Sequence, residues 1–110
     1  MAREYRAIVF RLELKIPRVD YYHCIEKIGA RLSVPEKILR QAMRVMEKIV
    51  NEGLASGKDP MGMAGSVLYI CMCMHRMEIK QRDMAAASES TEVTIRNTAK
   101  TLKKNLHIFA

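Results

Sequence analysis

From Met61 to Met74 the chain runs MGMAGSVLYICMCM, without a single charged residue. A helix that is apolar on nearly every side cannot rest on a surface and needs neighbours all round it. Asp59 followed by Pro60 marks its start, with a carboxylate to cap the helix and a proline in the first turn, where its missing N–H costs nothing. Gly62, Ala64, Gly65 and Ser66 are small, so the first half should make the closest contacts of the fold. The stretch falls short of the roughly 20 apolar residues that a bilayer span needs. It is therefore expected to be the central helix of a bundle, and a length of 110 residues allows that bundle a single core.

The rest of the chain supplies helices to surround it. No segment shows sustained two-residue alternation with β-branched enrichment, so the fold class is all-α. A first helix over about 2–14 places Tyr5, Val9 and Leu12 at helical intervals, with Phe10 on the flank, and Pro17 ends it. A second, about 20–31, carries Tyr21, Cys24, Ile25 and Ile28 on one face. Ser33 and Glu36 have the spacing of a capping box, which predicts a third helix starting near Val34. Along it Ile38, Leu39, Ala42, Met43, Met46, Ile49 and Val50 recur at three- and four-residue steps until the glycines of NEGLASGKDP. After the central helix come a short helix over about 80–88, a tight turn, and a last helix from Thr91 to near His107. That is helix-turn-helix spacing.

The last helix has two stripes. Ile95, Ala99, Leu102, Leu106 and Phe109 form an apolar ridge, and Val93, Arg96, Lys100, Lys103 and His107 form a second line about 120° away at the helical period. Nineteen Lys and Arg against twelve Asp and Glu give a net charge of +7, and no acidic residue follows Glu92. Such a balance favours polyanionic partners such as nucleic acid. Lysines on an outer face are ordinarily only solvated. Val93 and Arg96 stand one turn apart near the start of the helix. There arginine can pair with guanine O6 and N7, and an apolar side chain can meet a thymine methyl.

Other chemistry finds less support. In CMCMHRM, residues 71–77, Cys71 and His75 have the spacing of two metal ligands on a helix. Cys73 points elsewhere and no second cluster completes a site, so core packing is the better account and neither metal nor cofactor is expected. The nine methionines and the pair Tyr21 and Tyr22 are read as core filling and structure. With dispersed acids and no G-x-x-x-x-G-K-[ST] loop, no enzyme is expected. Three cysteines, an odd number, and a charged N-terminus without a signal-peptide core point to reduced thiols and a cytoplasmic location.

SGKDPMGMAGSVLYI, followed by KQRDMAAASESTEVTIRN, resembles the second cyclin-like repeat of archaeal transcription factor B, the relative of eukaryotic transcription factor IIB. The family's usual form is close to SGKDPxGLAAAALYI and then TQREIAEVAGVTEVTIRN. EYRAIVFRLELKIP is similar to the final helix of the family's first repeat and its linker, which divides the chain into 1–18 and 19–110. The resemblance implies a five-helix cyclin-like fold ending in a helix-turn-helix. It implies a general initiation factor that docks on double-stranded promoter DNA upstream of the TATA box, beside TATA-binding protein, as a monomer. Contacts to RNA polymerase would go through regions of the family that this chain does not contain. By position, Val93 and Arg96 match the base-reading pair, and Lys58 and Arg82 match basic positions along phosphates. The helical projection adds Thr94, Asn97 and Lys100 as backbone neighbours.

The sequence departs from the pattern in the turn. Glu89 stands where the family has glycine, so the turn either avoids positive φ or carries strain that glycine would not. Ser90 replaces an apolar anchor, Lys80 a threonine cap, and Thr98 with Ala99 an arginine–tyrosine-like pair. Two rival readings stand beside this one. One is a cyclin-box module that binds protein and not DNA. The other is a freestanding helix-turn-helix regulator acting as a homodimer.

Overall fold

The computed structural model describes residues 20–55 and 58–109, with Leu106 and Ile108 described by backbone alone. The helix expected over about 2–14 and the linker at Pro17 lie outside the described residues. Among those described there are five α-helices and no strand: α1 (Tyr21–Leu32), α2 (Glu36–Asn51), α3 (Pro60–Met74), α4 (Gln81–Ala87) and α5 (Glu92–Lys103), followed by a 3-10 helix, Leu106–Phe109. No described helix is long and apolar enough to cross a membrane.

The all-apolar helix is central. α3 packs against each of the other four helices, and its residues from Gly62 to Leu68 are all buried. Asp59 caps it as expected, accepting a hydrogen bond from the Gly62 N–H at 2.8 Å. Around it Ile25, Ile28, Ile38, Met46, Ile49, Met84, Ile95 and Leu102 complete the core, each side chain all but inaccessible. Met63, Met72, Met46 and Met84 are core residues, and only Met74 is well exposed among the described large methionines.

The start of α2 differs from the capping-box expectation. Ser33 does not cap it; it ends α1 in the left-handed conformation, with φ 55°. Pro35 is the residue before the helix. The physical reason is local, since a residue preceding proline is driven out of the helical region and Val34 therefore cannot begin one. Glu36 pairs with Arg40 at 2.8 Å instead of reaching back. On α2 itself Val45, which the periodicity did not pick out, is buried, whereas Val50 is exposed.

The last helix also stops short of His107. The Lys104 N–H bonds the Thr101 carbonyl and the Asn105 N–H that of Leu102. The Asn105 side-chain amide donates to the Thr101 carbonyl at 3.1 Å and finishes the helix at Lys103. The chain then turns toward α2, where His107 Nε2 lies 2.6 Å from Glu52 Oε1. His107 thus leaves the cationic stripe of α5, and Phe109 packs partly buried against the core.

Candidate nucleic-acid interface

α5 is positioned by what lies beneath it. Ile95, Ala99 and Leu102 are buried along its inner ridge, and the surface that receives them is the small-residue half of α3. A Cβ on Gly65 would come within 2.8 Å of the Ser88 Cβ and 3.2 Å of Ile95 Cδ1, and one on Gly62 within 3.2 Å of the Thr94 methyl. Glycine at both places lets the turn and the first coil of α5 settle directly on the central helix. Two buried hydroxyls lie in the same seam. Ser66 Oγ donates to the Gly62 carbonyl at 2.8 Å, and Ser88 Oγ to the Met84 carbonyl at 2.7 Å, so neither is left unsatisfied.

The N-terminus of α5 is capped by Thr91, whose Oγ1 accepts from the Thr94 N–H at 3.1 Å. The Thr91 hydroxyl in turn donates to Thr94 Oγ1 at 3.0 Å, leaving the Thr94 O–H as a donor of its own. Thr94 is half-buried, committed to this cap and to the contact with α3. On the outer side Val93 is 53 % exposed, a large fraction for an apolar side chain. Arg96, Asn97 and Lys100 are exposed as well.

The fold brings Lys58 to the same end of the molecule. It directly precedes the capping residue of α3, whose first turn abuts Ser90 and Thr94. The first turns of α3 and α5 therefore meet at Thr94, which brings together the positive ends of two helices. Arg82 is exposed on the first turn of α4. Among the described residues Lys58, Arg82, Arg96 and Lys100 enter no ion pair.

The turn between α4 and α5 resolves the alternative left by Glu89. Its φ is 55°, so it occupies the left-handed region in which glycine would be unstrained. For a residue with a Cβ that conformation costs about 1–2 kcal/mol. Arg31, at the end of α1, reaches this turn: Nη2 donates to Glu89 Oε2 at 2.8 Å and Nη1 to the Ala87 carbonyl at 2.6 Å. The Arg31 hydrogen bond holds the Glu89 carboxyl below the usual carboxylate range. Sequence reasoning missed Arg31, because nothing in its surroundings on α1 marks it.

The CMCMHRM stretch is divided by the fold. Cys71 is buried, and desolvation pushes its thiol up to about 12. Cys73 is exposed, and His75 Nε2 is in hydrogen-bond contact with Gln41 Oε1 at 2.7 Å. Beside it an open groove of about 910 Å³ lies between the ends of α1 and α3 and α4, lined by Leu32, Cys73, Met77, Ile79 and Ala86. None of the residues singled out for DNA contact lines it.

The sequence profile described as "Transcription factor TFIIB repeat" matches residues 15–105. A protein of Caldivirga maquilingensis named "Transcription initiation factor IIB" is 37 % identical over 108 residues, covering 98 % of this chain and 32 % of that protein. Proteins of the same name from Ignicoccus hospitalis, at 38 % over 107 residues, and Pyrobaculum islandicum, at 35 % over 108, cover 34 % and 32 % of their lengths. This chain spans about a third of the length of these archaeal relatives.

Proposed function

Because this chain belongs to the TFIIB repeat family, we propose that it acts in transcription initiation as a DNA-binding cyclin-like repeat. It docks on promoter DNA upstream of the TATA box, beside TATA-binding protein, and carries out no chemistry of its own. Residues 19–110 form the repeat, and 1–18 correspond to the end of a preceding one. The observation that carries the reading is the exposure of Val93 and Arg96 on the second helix of a helix-turn-helix whose opposite face is sealed into the core.

Arg96 pairs with a guanine edge and Val93 meets a thymine methyl, a combination that reads sequence. Lys58, Arg82, Asn97, Lys100 and the Thr94 hydroxyl lie along phosphates and fix the register without reading bases. Lys58 and Thr94 share one corner with two helix N-termini, which supports a phosphate there. The chain binds as a monomer, and polymerase contacts belong to other parts of the family's longer proteins.

A gel-shift series with TATA-binding protein tests this. Promoter DNA carrying the upstream element is expected to form a ternary complex that weakens steeply with salt, and scrambling the element should weaken it further. DNA binding that does not change with salt, or no binding to either DNA, would favour a protein-binding module instead. A dimer on palindromic sites, seen by sedimentation, would favour a freestanding regulator.

A further inference from the structure

Four helix ends among the described residues close with the same pair of backbone bonds. At each, the residue in the left-handed conformation bonds back three residues and its successor bonds back five: Ser33 with Val34, Gly53 with Leu54, Arg76 with Met77, and Glu89 with Ser90. Two devices ordinarily stabilise this arrangement, a glycine at the left-handed position and an apolar residue after it that packs on the helix just ended. Gly53 with Leu54 has both. Ser33 and Arg76 lack the glycine but are followed by Val34, which is buried, and Met77, which is packed against the core. The turn before α5 has neither, since Glu89 is charged and Ser90 is polar.

That turn also receives, from far away in the sequence, a side chain that bonds its backbone. Arg31 bonds both the Ala87 carbonyl, near the end of α4, and the Glu89 carboxylate. A guanidinium is a planar fork with donors in fixed directions, so gripping two acceptors defines a geometry as well as an energy. Its charge lies at the carbonyl end of α4, where a cation is favourable.

We propose that Arg31 is a positioning residue for the helix-turn-helix: it holds the α4–α5 turn in its left-handed form in place of the missing glycine and apolar anchor, and so sets the orientation of α5 on α3. The proposal rests on the DNA-reading role of α5 only for its consequence in binding; the effect on the turn stands by itself.

The test compares the full chain with Arg31→Ala, Glu89→Gly and the double variant by amide hydrogen exchange, by residual dipolar couplings of α5 relative to α1–α3, and by promoter binding across a salt series. In Arg31→Ala the Glu89 and Ser90 amides should exchange about two- to fivefold faster, the scale of an exposed but geometrically good ion pair. The α5 couplings should shift, and promoter affinity should fall with the salt slope unchanged. In the Glu89→Gly background the same substitution should have little effect on exchange or couplings, because glycine holds the turn without help. Unchanged exchange in Arg31→Ala, or an equal loss in the glycine background, would overturn the proposal. So would a salt slope reduced by about one, which would make Arg31 a phosphate contact. If the parent chain binds no promoter DNA, it is the DNA reading that fails, and the exchange and coupling measurements still decide the role of Arg31.

Discussion

The two faces of α5 are made from the same helix and do opposite things. The inner face, Ile95, Ala99 and Leu102, is buried to within a few per cent and contributes cohesion. The outer face leaves Val93 and Arg96 exposed to solvent, where substitutions ordinarily change stability little. The division holds because Gly62 and Gly65 let the helix approach α3 closely, so that its ridge, with Thr94 beside it, carries the packing. A side chain on one face can then change without being felt on the other, and stability and recognition should separate in experiment.

The sharpest attack on that comparison is Ile95→Ala. Its side chain is fully buried, so removing it should cost about 2–5 kcal/mol of stability in urea unfolding. A cost near zero would mean that the inner face is not what holds α5. Gly65→Ala comes next: the new methyl meets the Ser88 Cβ at 2.8 Å, and the overpacking should outweigh the gain in helix propensity by about 1–2 kcal/mol. Because the strain falls on the turn, promoter affinity should drop as well.

On the outer face Arg96→Ala should leave the urea midpoint unchanged while weakening binding to the upstream element by about 1–3 kcal/mol and relaxing base preference. Lys100→Ala should weaken all sequences alike and lower the salt slope by about one. Equal losses for Arg96→Ala on promoter and scrambled DNA would erase the distinction between base and phosphate contacts.

The smallest effect concerns pH. The Glu89 carboxyl is held below its usual range by the bond from Arg31, so its folded form is the poorer proton acceptor. The stabilisation is therefore complete above the ordinary glutamate range and is lost as pH falls through the lowered value. The stability difference between the parent chain and Arg31→Ala should be flat between about pH 5 and 7 and shrink on further acidification. A difference that persists in acid would assign Arg31's contribution to the Ala87 carbonyl alone.

Much of this was legible in the sequence. The Asp59–Pro60 start, the beginning of the last helix at about Thr91 and the ridge Ile95, Ala99 and Leu102 follow from hydrogen bonds and spacings that span a few residues. The outward placement of Val93 and Arg96 follows from the same periodicity, once the ridge is known to face inward. At Ser33 two local rules compete, and the restriction that Pro35 places on Val34 prevails over the capping-box spacing.

The chain's own sequence thus determined its helical class, its central helix and which side of the last helix faces outward, since these depend on residue type and the helical period. Only the tertiary structure decided that His107 leaves α5 for Glu52, and that Arg31 holds a turn lacking both glycine and an apolar anchor. Those contacts join residues more than fifty positions apart. No local periodicity encodes them, because they exist only after the core has brought the helix ends together.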